Sequence, residues 1–254
     1  MPSRMFRCLL VVFLFATFIP AFGQAAAGGS RYDAQIQQDV DKYLRGKSQF
    51  QGLKATTEDQ IVTLEGNVNL YIDKMNAERK VEKMKNVEAV RNHIQVQSNV
   101  PDADLQKNLA DKLRYDRVGF GIAFNAIALG VKDGVVTLGG NVHDYPSRDS
   151  AVAIAETTPG VKDVVDNIEV APTSNFDDDL RLRLYRAIYG DPVLQKYATD
   201  PQKPIRIVVE RGHVTLYGVV NNEGDKNIAG LRANQVSGVF SVDNQLIAIN
   251  QKTK

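Results

Sequence analysis

Three histidines, one cysteine and a run of aspartates are the residues in this chain that could do chemistry. A metal site needs several such groups at ligand spacing, and a nucleophile needs a neighbouring base. His93, His143 and His213 stand far apart, with no acidic or cysteine partner at ligand spacing, so each reads as a solvated or strand-edge residue. His143 beside Asp144 is too little for a site. Asp177-Asp178-Asp179 could gather a cation, but it precedes a helical stretch, where capping and a favourable dipole interaction account for it. Ser30, Ser98 and Ser147 lie in no nucleophile-elbow context. No catalytic constellation emerges, so the expected protein is not an enzyme and uses no metal or cofactor.

Cys8 falls in a different kind of segment. Arg4 and Arg7 precede an apolar run from Cys8 to Phe22, and Ala21-Phe22-Gly23 gives a small-residue exit before Gln24. This pattern is that of a secretory signal peptide over residues 1–23, with an uncleaved anchor as the alternative. Cys8 stands at the start of the apolar run, ahead of its core and not after it at the cleavage point, so the expected product is a periplasmic protein and not a lipoprotein. Cleavage removes Arg4 and Arg7, leaving 29 basic and 30 acidic residues. That balance argues against a general affinity for nucleic acid or anionic membrane and leaves only local patches open. The exported chain has no cysteine, so it must fold without disulfides.

The elements that would position any site come from a repeat. Val62-Thr63-Leu64-Glu65-Gly66-Asn67-Val68 returns as Val136-Thr137-Leu138-Gly139-Gly140-Asn141-Val142. It returns again as Val214-Thr215-Leu216-Tyr217-Gly218-Val219-Val220. The threonines are 74 and 78 residues apart, and the match extends without gaps to Ala77, Val87 and Val90 and their counterparts. A period of this length suits a small domain with its own core. Strand alternation puts Val, Leu, Gly and Val of each motif on one buried face. The glycine there marks a close approach of a helix or a neighbouring strand.

Around this strand each repeat reads helix, strand, strand, helix, strand. In repeat one, Ile36, Val40 and Leu44 mark the first helix, with Asp33 placed to cap it. Lys54–Thr57 is the first strand, Met75–Lys85 the second helix, and His93–Gln97 the last strand. Asp144 and Pro146 mark the second helix of repeat two. The expected fold class is α+β: three tandem αββαβ units, each a small mixed three-stranded sheet with two helices on one face. The units span residues 31–98, 101–171 and 175–250, after a linker at 24–30. Repeats two and three each carry an apparent insertion after the first helix, Val118–Val131 and Gly190–Pro204, which repeat one lacks.

The three units resemble the BON domain. The resemblance rests on the VTLEGNV, VTLGGNV and VTLYGVV strands, on Ala77, Ala151 and Ala229, and on NVEAVRN, GVKDVVDN and GVFSVDN before the last strands. It implies an αββαβ fold, an envelope location, no catalysis, and binding to phospholipid or other envelope components, in association with osmotic or envelope stress. A chaperone-like or scaffolding role toward secreted or outer-membrane proteins is the alternative. The expected partners are therefore anionic phospholipid at a membrane surface, or envelope proteins, and no nucleic acid.

Candidate ligand-binding residues are the basic and aromatic side chains near the first helices and in the two insertions: Lys112, Arg114, Tyr115, Arg117, Phe120, Phe124, Arg183, Arg186 and Tyr197. A solvated helix face competes with this reading, because Asp102, Asp104, Asp111 and Asp116 neutralise the first set. The insertions are expected either to expose apolar side chains to a lipid or client or to pack the repeats together.

Overall fold

The structure, a computed structural model, describes residues 31–116, 121–199 and 204–249. The expected export signal, the linker and the tail from residue 250 lie outside them, as do Arg117 and Phe120.

Each unit opens on an amphipathic helix. In α1 (Asp33–Arg45) the stripe Ile36, Val40 and Leu44 is buried. A 3-10 turn leads to β1 (Leu53–Glu58), which pairs antiparallel with β2 (Ile61–Val68). Then α2 (Tyr71–Glu82) crosses to β3 (Ala89–Val96), parallel to β2, so the VTL strand is the central one. The second unit repeats this with α3 (Asp102–Arg114), β4 (Ala126–Lys132), β5 (Val135–Val142), α5 (Tyr145–Glu156) and β6 (Asp163–Val170). One added turn, α4 (Gly121–Phe124), precedes β4.

The third unit contains α6 (Asn175–Tyr189), the short α7 (Lys196–Thr199), β7 (Arg206–Glu210), β8 (His213–Tyr217), β9 (Val219–Val220), α8 (Glu223–Asn234), β10 (Ser241–Asn244) and β11 (Ile247–Ala248). Its sheet has the same order, but it divides at Gly218 into β7-β8-β10 and β9-β11. The fold is thus the expected α+β array of three αββαβ units, with element boundaries that differ. α2 starts at Tyr71 and not at Met75, and the last strands of units one and two run for 8 residues each. The stretch Val118–Val131 is not all insertion, because β4 begins inside it at Ala126.

The central strands bury Val62 and Leu64, Val136 and Leu138, and Val214 and Leu216. The glycine that follows has a positive φ in every copy: 120° at Gly66, 89° at Gly140 and 132° at Gly218. A Cβ there would lie 2.0–2.4 Å from a backbone carbonyl oxygen, of Gly52, Ala126 and Pro204 respectively. The close neighbour is therefore the chain at the start of the preceding strand, not a helix, and only glycine fits both the torsion and the space.

A second repeated device joins helix to hairpin. The Asp33 carboxylate accepts the backbone N–H groups of Asp59 and Gln60 at 3.0 and 2.8 Å. Asp102 accepts those of Asp133 and Gly134, and Asp177 those of Arg211 and Gly212. Asp33 thus does not cap α1; it ties the start of the helix to the β1–β2 turn. Asp177 does the same for the third unit, where the cap of α6 is Ser174, accepting from the Asp177 N–H. Charge-assisted bonds of this kind hold each turn in register with its helix.

The buried side chains of units one and two form one continuous cluster, from Ile36 to Ile168. Tyr71 sits between them, almost fully buried. Its hydroxyl is pushed up to about 12, first by burial and then by the Asp163 carboxylate it hydrogen-bonds. Arg79 pairs with Glu156 across the same junction at 3.1 Å. A separate cluster fills unit three and takes in Ala123 and Phe124 from unit two.

Candidate functional site

The expected binding residues separate into three kinds of place. At the end of α3, the Lys112 ammonium donates to the Thr158 hydroxyl at 2.9 Å, and Arg114 pairs with Asp111 at 2.8 Å. Tyr115 is exposed beside them, on a shallow groove shared with Ile154 and Thr157. Of the acids expected to neutralise this face, Asp111 pairs with Arg114, while the Asp102 carboxylate is taken by the β4–β5 turn.

Phe124 of the first insertion and Tyr197 of the second face inward. Phe124 is only 5% exposed. Its ring meets His143 and Tyr185 edge-on, each at 6.2 Å between centroids, and so closes the junction between units two and three. Next to it Arg206 donates to the Asn125 carbonyl, and its guanidinium is held below the usual arginine range, first by burial. Tyr197 is 2% exposed. Its hydroxyl donates to the Asp225 carboxylate and accepts the Asn221 N–H at 2.7 Å, which anchors the second insertion to α8. Burial, then that carboxylate, pushes the Tyr197 hydroxyl up to about 12. These two side chains offer no apolar surface to a ligand.

Arg183 and Arg186 lie on α6. Arg186 is exposed in its last turn. Arg183 donates to the Ser237 carbonyl at 2.6 Å, which fixes its guanidinium at one end of the third unit. That end carries the aromatic surface the sequence reading missed. Phe240 is 71% exposed and Phe176 46%, and their rings stack at 6.4 Å between centroids. Two glycines make room for them: a Cβ on Gly212 would meet the Phe240 ring at 2.6 Å, and one on Gly238 would meet Phe176 at 3.2 Å. His213 packs against Phe240 at 6.0 Å, and Arg211 stands at the hairpin tip with its side chain 81% exposed.

Comparing the three units position by position isolates this end. Where the third unit has Phe176 and Phe240, the first has Tyr32 and Glu88, and the second Pro101 and Lys162. The hairpin-tip residue is Asp59, Asp133 and then Arg211; the next strand opens on Ile61, Val135 and then His213. Along the first helices, Asp39 and Asn108 give way to Arg183. All three tip residues hold φ near 50°. Aspartate tolerates that left-handed region; arginine does so at a cost. Among the described residues no group of histidines and carboxylates could hold a metal ion.

The architecture defines a tandem array of small αββαβ modules whose third copy carries a cationic, aromatic end. The model of the BON domain matches residues 32–98, 101–172 and 177–250, and the chain belongs to that family. BON domains occur in periplasmic or envelope proteins and are generally non-catalytic. Among the described residues no helix is long and apolar enough to cross a membrane. No curated protein matches the chain. Among solved structures it is similar to CdsD, a structural protein of the type III secretion system of Chlamydia trachomatis, at 13% identity. That match covers 85% of this chain and 92% of that one, with a TM-score of 0.22. The C-terminal domain of the same protein matches at 13% identity over 84% of this chain and 96% of that one, with a TM-score of 0.21. Both likenesses are too slight to carry a functional argument.

Proposed function

We propose that this chain is an exported, non-catalytic envelope protein that docks on anionic phospholipid surfaces through the end of its third BON unit, in support of envelope integrity under osmotic or envelope stress. One observation carries the reading: the same scaffold occurs three times, and only the third copy exposes a stacked phenylalanine pair beside Arg183 and Arg211. Core packing cannot account for Phe240, which is mostly in water. Moving one such ring from water into the acyl region is favourable by about 2 kcal/mol, and each arginine near an anionic surface adds about 1 kcal/mol. Two rings and two cations together suffice for reversible attachment. The arginine-bearing N-terminal segment, with its apolar run and small-residue exit, supports delivery to the compartment where such surfaces lie.

Cosedimentation of the purified protein with vesicles of phosphatidylglycerol and phosphatidylcholine tests this. The intact chain is expected to bind the anionic vesicles. The double substitution Phe176→Ser, Phe240→Ser is expected to weaken that binding at least tenfold while the thermal midpoint hardly moves. Unchanged binding by the double variant would remove the proposed surface from consideration, and binding to unfolded envelope proteins in its place would favour the chaperone-like role.

A further inference from the structure

We infer that copies of this chain associate head to tail, the second unit of one docking on the first unit of the next through the face of α5 that carries Tyr145. The inference is independent of the membrane-docking reading. Its precedent is a junction within the chain. On α2, Tyr71, Met75 and Arg79 share one helix face at i, i+4 and i+8. That face meets the second unit. Tyr71 bonds the Asp163 carboxylate and the Val164 N–H at the start of β6. Met75 packs against the shared cluster, and Arg79 pairs with Glu156 at the end of α5. The corresponding face of α5 carries Tyr145, Asp149 and Ala153, and all three are exposed. Tyr145 is 66% exposed where Tyr71 is 7%. The third unit leaves this face open, because it meets the second through Phe124, His143 and Tyr185.

The first unit offers the matching surface. β3 is an edge strand, and its Ala89 and Val90 hold the register positions of Asp163 and Val164. Ala89 leaves room for the Tyr145 ring, whose hydroxyl oxygen accepts the Val90 N–H as Tyr71 accepts that of Val164. The charges of the two open surfaces are complementary, with signs opposite to those of the internal junction. On the docking face Asp149 replaces Met75, with its side chain 72% exposed. On the receiving end of α2, Lys83 and Lys85 replace Thr157 and Pro159. The third unit has Gln235 and Ser237 at those two positions, so it offers Asp149 no cation. Its own α8 has Glu223 in place of the tyrosine and does not continue the array. Each chain thus gives one surface and receives on another, a heterologous contact that extends past a dimer.

Mass measurement by light scattering and sedimentation equilibrium tests this. The purified protein is followed between about 1 μM and about 1 mM, the range of weak association. The average mass is expected to climb past that of a dimer. Tyr145→Ser is expected to raise the dissociation constant by about tenfold or more, with the thermal midpoint unmoved. Asp149→Lys, and Lys83→Glu with Lys85→Glu, are each expected to weaken self-association. A mixture of these two charge variants is expected to restore it, because the altered face of one meets the altered end of the other. A mass that stays monomeric throughout overturns the inference, as does association that ignores Tyr145→Ser. Loss of association in the Phe176→Ser, Phe240→Ser variant with Tyr145→Ser silent also overturns it, and places the contact at the aromatic end. Charge variants that associate like wild type, or that fail to restore each other, reject the first unit as the receiving surface.

Discussion

A single residue shows how the third unit departs from its siblings. Arg211 occupies a left-handed turn position with φ of 51°, where the other two units place aspartate. The short aspartate side chain can bond its own backbone in that conformation; arginine gains nothing from it. The Arg211 side chain makes one weak contact, to Glu210 at 3.9 Å, so local packing does not repay the cost. Strain kept at an exposed tip is the kind of feature expected of a functional position. Arg211→Asp should therefore stabilise the protein, by about 0.5–1 kcal/mol on this scale of backbone preference. The same substitution should weaken binding to phosphatidylglycerol vesicles several-fold. Thermal unfolding and cosedimentation on one preparation would check both, and a variant that is less stable would show that the turn does not prefer aspartate.

At the scale of elements, the repeated strand was legible because alternation leaves only one face for Val, Leu, Gly and Val. The glycine was also legible as a close-approach position, but its positive φ and the carbonyl facing it were not. The second helices divide by their start signals. In α5 and α8, Asp144 and Asn222 accept the N–H three residues on, and such caps can be read from sequence. α2 begins after Leu70 with no side-chain cap, so its first turn carries no such signal. β4 was hidden in an apolar stretch whose glycines and alanines show no polar alternation. The aromatic end was illegible for another reason: residues 176, 212 and 240 meet only because the first helix, the hairpin tip and the final crossover converge there. The element-scale prediction concerns the strand glycines. Gly66→Val, Gly140→Val and Gly218→Val each combine a forbidden torsion with a backbone clash, so each should cost about 2–5 kcal/mol. Circular dichroism melts check this, and a midpoint within a degree or two of wild type would mean that the strand relaxes around the new side chain.

The whole molecule is held together by two unlike junctions. Units one and two share one buried cluster, with Tyr71 and the Arg79–Glu156 pair between them. Unit three has its own cluster and receives Ala123 and Phe124 from unit two. Phe124 is therefore a latch and not a ligand contact, and its loss should be felt at one junction. Calorimetry should resolve two transitions, one for units one and two together and one for unit three. Phe124→Ser removes a buried ring from the second cluster, so it should lower the unit-three transition by the order of 3 kcal/mol and leave the other nearly unmoved. Vesicle binding per folded molecule should persist, because Phe176 and Phe240 lie on the third unit itself. A variant that keeps both transitions and loses binding would place Phe124 at the lipid surface after all. One that lowers both transitions equally would show that the three units unfold as a single cooperative body. The docking end and the latch are carried by different residues, Phe176 and Phe240 against Phe124, so the double phenylalanine variant and Phe124→Ser should be additive in stability. Vesicle binding and calorimetry on the same two variants separate what attaches the array from what holds it together.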